Sequence, residues 1–421
     1  MRDNGRLMRG RARDVAVVGA VSLVLRLAWV AWAHPAPTSD FSWYFSVARR
    51  FAASGRYELA DGQPTAFWPP GWPFLLGGAM RGLGAQLWVG LVLQAVLASL
   101  LAMVLYLLAF RVLGGRAGAW ASVLAWWVLP ETWAWGSQLG TEEVFTLLLL
   151  SALLLWSGRD QGGAWWLVGC SLCVGAATLV RPQALVLVPA FAIIELCRRR
   201  GWRTALVRSG CVLGGVVLVV APWTARNMVV MGGFVPLSTN MGQNLWQGLH
   251  SDTGFFWSDD PALNPLLGKG ELDQDTAGRR AFWESLRADP MHTVVHAPLK
   301  IAALFYSAHT AALYLAPSTG PHGQAFELLA TTVWRVWALI ALGGIGLALL
   351  AWRRGSPNTL LLELGLIVAA YLLPFAVVEG GDRFREPLTP LLAVFVASAV
   401  LRVLHARTTP VRDLSRSLAL R

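Results

Sequence analysis

The sequence predicts an all-α polytopic membrane protein, a bundle of about ten transmembrane helices with two large external loops that carry interfacial helices. Hydrophobic residues make up 55% of the 421-residue chain, charged residues only 14%, and the mean hydropathy is +0.51, which is far from a soluble domain. Several stretches of about 18 or more residues lack charge, the length that crosses a hydrocarbon core about 30 Å thick. The alternation typical of barrel strands is absent from the sequence, which leaves helices to satisfy the backbone in lipid.

The arginines orient this bundle. Five of them lie among the first thirteen residues, so the positive-inside rule places the N-terminal segment in the cytoplasm. The predicted transmembrane helices are 15–33, 86–110, 118–136, 142–156, 165–180, 183–197, 208–223, 332–352, 360–378 and 388–405. With this threading every short basic loop lies inside and the carboxylates collect outside. The net charge of +11 is therefore a topology signal, and no nucleic acid is expected as a partner.

One membrane domain accounts for the whole chain. Its predicted parts are the first helix (15–33), the first external loop (34–85), helices two to seven (86–223), the second external loop (224–331), helices eight to ten (332–405) and a cytoplasmic tail (406–421). Residues 293–315 are apolar but contain Lys300 and two histidines. If this segment crossed the membrane, Arg353 and Arg354 would be forced outside. We therefore predict an interfacial or re-entrant helix here.

The first external loop gathers the most reactive groups of the N-terminal half. Asp40 follows the first helix closely, with aromatic residues around it and a proline-aromatic cluster downstream at 64–73. A carboxylate can take a proton from an attacking hydroxyl or amine. Thr38, Ser39 or Asp40 could instead cap a helix over 41–54. Both interpretations are open at this point.

Arginines on the external side form a second group of candidates. Arg383 and Arg385 break the positive-inside pattern, and a guanidinium binds phosphate through two parallel N–H bonds. They suit a phosphate at headgroup depth, and pairing with Asp382 and Glu386 is the alternative. Arg226 either joins them or anchors a helix end at the interface.

Two further charged features concern the helices themselves. Glu142 and Glu143 open the fourth helix on the external side, where acidic residues suit the helix dipole as well as a function. Arg26 lies near the middle of the first helix, where a charge costs at least about 2.5–3.5 kcal/mol. We expect it to face the interior and to pair with a carboxylate such as Glu363. No P-loop, dinucleotide fingerprint or HExxH motif occurs, which argues against a nucleotide-sugar donor.

Taken in order, these motifs resemble the GT-C superfamily, integral membrane glycosyltransferases that use a polyprenyl-phosphate sugar as donor. Within it the likeness is to the group of protein O-mannosyltransferases and lipid A aminoarabinose transferases (families 39 and 83). The residues that carry the resemblance are Asp40 and Tyr44, Pro64-Thr65-Ala66, Pro69-Pro70-Gly71, Glu142-Glu143, Arg181-Pro182, Pro222-Trp223, Arg226-Asn227, Asn240, Asn244-Leu245-Trp246 and Asp382-Arg383-Phe384-Arg385. Their order over nearly the whole chain is more specific than any one motif.

The resemblance implies roles for these residues. Asp40 would be the general base of a single inverting displacement, and polyprenyl phosphate would be the leaving group. The cations expected to stabilise it are Arg383, Arg385 and Arg226, with Arg181 and Lys300 behind them. Tyr44, Glu142, Asn244, Trp246 and Asp382 complete the expected substrate-binding set. No cofactor is certain. A divalent metal, if one is used, would be held by Asp40 and Glu142, although Phe41 stands where the protein mannosyltransferases carry a second acidic residue.

The predicted function is the transfer of a sugar from a polyprenyl-phosphate donor to a lipid, glycan or protein acceptor. The expected place is the periplasmic face of a bacterial inner membrane. Two alternatives remain, a flippase or transporter of lipid-linked sugars and a polysaccharide polymerase or ligase with a diphosphate donor. A transporter usually shows charged groups along an interior path and repeated halves, and no repeat is visible here.

Overall fold

The chain is almost entirely helical. The computed structural model describes residues 2–161, 163–250, 258–319, 323–355 and 358–408, and the predicted tail 406–421 lies outside them from 409 onward. The α-helices of this part are α1 Arg2–Ala33, α2 Ser39–Ser54, α3 Gly71–Leu83, α4 Leu87–Leu113, α5 Arg116–Trp127, α6 Pro130–Trp135, α7 Glu142–Trp156, α8 Trp165–Val180, α9 Leu187–Cys197, α10 Trp202–Val230, α11 Met241–Leu249, α12 Glu271–Ala288, α13 Pro290–Ala303, α14 His309–Thr319, α15 Gly323–Arg353, α16 Thr359–Leu372 and α17 Thr389–Thr408. The described chain also has three 3-10 turns. They are Pro182–Val186 before α9, Leu373–Ala376 after α16 and Asp382–Leu388 before α17.

Length and hydropathy allow six helical segments of the described chain to cross a membrane. They are Arg9–Ala33, Leu87–Leu113, Trp202–Val230, Gly323–Arg353, Thr359–Ala376 and Asp382–His405, and two shorter apolar helices are Trp165–Val180 and Pro182–Cys197. The peripheral helices expose large apolar side chains, such as Val24 on α1, Leu218 on α10 and Leu342 on α15. An apolar outer surface of this kind requires a lipid environment. The predicted fold class, an all-α multi-pass membrane protein, is confirmed.

Two predicted helices are each broken in two. The predicted segment 118–136 consists of α5 and α6, because Pro130 cannot continue a helix and instead starts a new one. The predicted interfacial helix 293–315 consists of α13 and α14. At this break the guanidinium of Arg385 donates hydrogen bonds to the carbonyls of Leu304 and Ser307. A side chain remote in sequence therefore satisfies carbonyl groups that a continuous helix would have bonded.

Other predicted boundaries differ in length. We expected the seventh helix to end at residue 223, but α10 continues through Pro222 to Val230. A proline removes one backbone hydrogen bond, which a long membrane helix tolerates. The first helix begins at Arg2 rather than at residue 15, because the arginine-rich segment continues the same helix. The ninth helix ends at Leu372 instead of 378, where a 3-10 turn containing Pro374 follows.

One end of the bundle is joined by a compact group of ion pairs, here called the Arg159 cluster. Arg159 binds Glu195 at 2.5 Å and Glu363 at 3.3 Å. The rest of the cluster is Asp160 with the three arginines that pair with it, Arg198, Arg200 and Arg208. Arg198 also pairs with Glu363, and Arg208 with Glu195. The cluster ties the ends of α7, α9, α10 and α16 together.

The predicted pairing of Arg26 with Glu363 is wrong, because Glu363 belongs to the Arg159 cluster. Arg26 is buried near the other end of α1, where Nη1 donates to the carbonyl of Thr132 at 2.6 Å. Its guanidinium also lies over the rings of Trp133 and Trp126, at 4.6 and 5.3 Å from the ring centroids. Cation–π contacts stabilise a desolvated guanidinium. The expectation that Arg26 faces the bundle interior is confirmed.

Candidate active site

Asp40 lies in the first turn of α2, directly after the first helix. Thr38 is the N-cap of this helix and makes no side-chain capping bond, whereas Asp40 lies inside the first turn and its carboxylate bonds to Arg383. Its Oδ2 atom accepts a hydrogen bond from Arg383 Nη1 at 2.9 Å, and 31% of the side chain is exposed. The residue before it, Ser39, has φ +49°, a left-handed conformation that costs a non-glycine residue of order 1–3 kcal/mol. The capping interpretation of Asp40 is therefore excluded.

Arg383 connects Asp40 to a buried acidic residue. Its Nε donates to Glu142 Oε1 at 2.5 Å, and Arg181 Nη2 donates to the same oxygen. Arg181 Nε also binds Thr141 Oγ1 at 2.7 Å. Asp40, Glu142, Arg181 and Arg383 form one chain of ion pairs, here called the Asp40 cluster. Four segments far apart in sequence meet in it.

Local structure explains why these side chains converge. Glu142 begins α7, and its carboxylate packs closely on Gly140, where an added Cβ atom would overlap Oε2. Arg383 lies in the 3-10 turn Asp382–Leu388, and its guanidinium is 4.6 Å from the ring centroid of Phe41. The alternative pairing of Arg383 with its neighbour Asp382 does not occur, since Asp382 Oδ2 accepts from the amide of Thr310 at 2.8 Å.

Several buried polar atoms around the cluster have no hydrogen-bond partner among the described residues. They are Glu142 Oε2, Arg181 Nη1, Glu379 Oε2 and Asp382 Oδ1. Buried polar groups in folded proteins are almost always paired with protein or with ordered water. A concentration of unpaired donors and acceptors at one place is typical of a site that receives a polar ligand.

Two tyrosines border the cluster. Tyr44, which we expected here, is buried, and its ring packs against Trp43 and Trp68. Burial raises the pKa of its hydroxyl, and the negative charge of Asp40 raises it further. Tyr314 was missed. Its ring lies 4.9 Å from that of Phe41, and its hydroxyl contacts Ser39. No motif marks Tyr314, because the break between α13 and α14 determines its position.

Arg226 does not reach the Asp40 cluster. Its Nη1 and Nη2 atoms donate to the carbonyls of Thr65 and Tyr57 at 2.8 and 2.7 Å, and its guanidinium lies 4.8 Å from the ring of Trp223. These contacts hold the first external loop against α10. Its role as a phosphate ligand stays a prediction, and two of its nitrogens already donate to backbone carbonyls.

Arg385 also uses its donors on groups of the protein itself. It pairs with Glu131, with Nε 3.1 Å from Oε1, and it donates to the two carbonyls at the α13–α14 break. The side chain is buried, and its guanidinium lies 4.1 Å from the ring centroid of Trp334. The alternative pairing with Glu386 does not occur among the described contacts, since Arg385 pairs with Glu131. A phosphate would have to displace these partners, and its binding by Arg385 stays a prediction.

The two loops predicted to be external are joined through Glu271. Its carboxylate accepts from Thr65 Oγ1 at 2.5 Å, from the amide of Ala66 at 3.0 Å and from Thr239 Oγ1 at 3.2 Å. Thr65 and Ala66 belong to the proline-aromatic cluster of the first loop. This cluster is the place where the second loop docks, a role that its sequence did not indicate.

The remaining predicted residues lie around the turn that leads to Arg383. Asn244 and the buried Trp246 are on α11, and Gly248 of that helix packs directly on the backbone of Val377. Lys300 is buried in α13, and a Cβ atom added to Gly380 would lie 2.6 Å from its carbonyl oxygen. The second loop thus contacts both sides of the turn.

A divalent metal at Asp40 and Glu142 stays a prediction, since one oxygen of each carboxylate, Asp40 Oδ1 and Glu142 Oε2, has no partner among the described residues. The described chain contains no group of three or more His, Cys, Asp or Glu side chains that could hold a metal ion. Asp40 and Glu142, the two expected ligands, each accept a hydrogen bond from Arg383 through one carboxylate oxygen. The guanidinium of Arg383 thus bridges Asp40 Oδ2 and Glu142 Oε1.

Comparisons with known proteins agree with this architecture. Residues 68–225 match a family model described as dolichyl-phosphate-mannose-protein mannosyltransferase. Archaeal oligosaccharyltransferase AglB from Archaeoglobus fulgidus, solved with an inhibitory peptide and a dolichol-phosphate, is similar at 13% identity and a TM-score of 0.57. The match covers 96% of this chain and 52% of AglB, so the chain spans about half of that protein. ArnT from Cupriavidus metallidurans, solved with undecaprenyl phosphate, is 17% identical over 92% of this chain and 78% of ArnT, with a TM-score of 0.46.

A comparison with curated protein sequences found no match. The AglB likeness shows the fold, and the matched family segment contains Glu142 and Arg181. Together they agree with the predicted fold, and the enzyme class stays a prediction.

Proposed function

We propose that this protein transfers a sugar from a polyprenyl-phosphate donor to an acceptor, with Asp40 as the general base. The observation that carries this proposal is the Asp40 cluster itself. It combines a partly exposed carboxylate, two buried arginines and unpaired polar atoms at one end of a membrane bundle. A base beside phosphate-binding cations is what such a transfer needs.

The two carboxylate oxygens of Asp40 have different roles. Oδ2 is held by Arg383, while Oδ1 makes no hydrogen bond to the described residues. Oδ1 takes the proton of the acceptor hydroxyl or amine as the nucleophile bonds to the anomeric carbon. The bond from that carbon to the phosphate oxygen breaks in the same step, and its electron pair leaves with the polyprenyl phosphate. The configuration at the anomeric carbon is inverted.

Two cations of the Asp40 cluster, Arg181 and Arg383, are assigned to the leaving phosphate, and Lys300 stays a predicted further ligand. Arg181 Nη1 is buried and lacks a partner among the described residues, so a phosphate oxygen can use it without breaking a bond. Glu142 pairs with both arginines through Oε1, so their guanidinium groups lie side by side. Charge-assisted bonds from such a fork stabilise developing negative charge in a site with little water.

The proposed donor rests on the ligand of AglB, and the proposed location rests on the distribution of positive charge along the chain. AglB was solved with dolichol-phosphate, and we extend this ligand class, a lipid monophosphate, to the present chain. The Asp40 cluster lies at the end of α1 away from its arginine-rich start. The positive-inside rule therefore supports a periplasmic active site in a bacterial inner membrane. A lipid, glycan or protein is the proposed acceptor, and Asn244, Trp246 and Tyr44 stay its predicted binding residues.

The test is donor turnover by the purified protein in detergent, using a panel of undecaprenyl-phosphate sugars with and without a chelator. The wild-type protein is expected to release undecaprenyl phosphate from one of them. Asp40→Asn keeps the shape of the side chain and should lower release by at least about 100-fold. Asp61→Asn, an exposed carboxylate of the same loop, is the matched control. Normal turnover by Asp40→Asn would refute the role of Asp40, and a protein that moves intact donor across vesicles without releasing phosphate would be a transporter.

A further inference from the structure

Glu379 is a buried carboxyl group that the reaction proposed above does not use. It lies between the 3-10 turns Leu373–Ala376 and Asp382–Leu388, and only 8% of it is exposed. Its Oε2 atom has no partner among the described residues. Leaving a polar atom unpaired in the interior costs of order 1–3 kcal/mol. A ligand that bonds to this oxygen would remove that cost.

The backbone around Glu379 is fixed from two sides. Gly248 of α11 packs on the carbonyl of Val377, and Gly380 packs against the carbonyl of Lys300 in α13. In both places a Cβ atom would collide with backbone, so the glycines allow the close approach. Glu379 is therefore held in place by the second external loop rather than by bonds of its own carboxyl group.

The charged groups that face Glu379 are Asp40 and Arg383, and Lys300 is on the helix packed beside it. Asp40 marks the position of the acceptor nucleophile, whereas Arg383 marks the phosphate. In an in-line displacement the sugar ring lies between the nucleophile and the leaving group. Glu379 is thus next to the place where the ring must sit.

This position rests on the proposed function, and from it we propose that Glu379 binds a hydroxyl group of the donor sugar. Burial raises the pKa of Glu379 to about 8, with a further contribution from the charge of Asp40. The group is consequently protonated at neutral pH, and a neutral carboxyl both donates and accepts hydrogen bonds. Above pH 8 it ionises, which removes the donor and adds a negative charge close to Asp40 and the phosphate. Sugar binding should then weaken.

The experiment compares kcat/KM for the donor between pH 6 and pH 10 in three variants. Glu379→Ala should lower kcat/KM about 10- to 100-fold at pH 7, since a sugar hydroxyl loses its partner. Glu379→Gln keeps a neutral donor and acceptor, so we expect a loss of only about threefold at pH 7. More importantly, the glutamine variant should lack the fall in activity above pH 8 that the wild type shows. Glu284→Gln, an exposed glutamate of the same loop, should match the wild type at every pH.

The outcomes separate this inference from the proposed function. If the wild type transfers sugar but Glu379→Gln retains the same alkaline fall, Glu379 does not bind the sugar and the transferase proposal stands. Wild-type activity in Glu379→Ala leads to the same conclusion. If Glu379→Ala fails to fold, the pH profile of Glu379→Gln decides alone. A wild type that transfers no sugar overturns both.

Discussion

The Asp40 cluster and the Arg159 cluster use the same chemistry at different places in the bundle. Both join distant helices through arginine and carboxylate side chains that are largely buried. They differ in completeness. The Arg159 cluster has no buried polar atom without a partner among the described residues, whereas the Asp40 cluster leaves Glu142 Oε2 and Arg181 Nη1 unpaired.

This difference indicates which cluster holds the fold and which receives a ligand. A buried ion pair offsets its desolvation cost only when its geometry is good and its remaining atoms are satisfied. The Arg159 cluster meets that condition, and Asp160 at its rim is 30% exposed to solvent. The Asp40 cluster does not meet it in the free protein. Unsatisfied polar atoms beside a partly exposed carboxylate are expected at a functional site.

The largest effect should come from replacing the central arginine of either cluster, Arg383 or Arg159, by glutamine. Arg383→Gln removes the bridge from Asp40 to Glu142 and a donor to the phosphate, so turnover should fall about 100- to 1,000-fold. Arg159→Gln leaves Glu195 and Glu363 without their buried partner and should cost about 3–5 kcal/mol of stability. Its folded fraction should still transfer sugar. Thermal unfolding and turnover per folded protein, measured on both variants, check the contrast.

If Arg159→Gln lost turnover without losing stability, the two clusters would not differ in function as proposed. Likewise, an Arg383→Gln variant that turns over normally but melts early would make Arg383 a structural residue.

A smaller effect is expected when an arginine is replaced by lysine. Arg181→Lys keeps the charge but loses the planar fork, so the KM for the donor should rise about tenfold. Arg198→Lys makes the same change in the Arg159 cluster at a side chain that is 22% exposed, and donor KM should stay unchanged. Initial rates at varied donor concentration test this pair. Equal KM values in the two variants would contradict the assignment of Arg181 to the phosphate.

The smallest effect concerns a single hydroxyl group. Tyr314→Phe removes the contact to Ser39 and should lower kcat about two- to tenfold, the range of one net hydrogen bond of 0.5–1.5 kcal/mol. Tyr306→Phe is its control, because Tyr306 is 72% exposed. A loss of kcat in both variants, or in Tyr306→Phe alone, would remove Tyr314 from the site.

The sequence predicted the membrane fold, the position of Asp40 and the convergence of Glu142, Arg181 and Arg383. Hydropathy, basic loops and the order of motifs are local signals, so they are readable without a structure. The sequence did not show that Arg226 donates to backbone carbonyls or that Arg385 pairs with Glu131. Glu131 and Arg385 are 254 residues apart, so no local pattern connects them. Tyr314 and Glu379 were missed for a related reason. Their roles depend on a helix break and on a turn held by glycines, which only tertiary contacts reveal.

The most direct test is binding of undecaprenyl phosphate, without sugar or acceptor, measured by native mass spectrometry of the purified protein. The account predicts that the wild type and Arg208→Gln of the Arg159 cluster retain the lipid phosphate. Arg383→Gln should lose most of it while remaining folded. Equal retention by Arg383→Gln and the wild type would contradict the claim that the Asp40 cluster binds the phosphate.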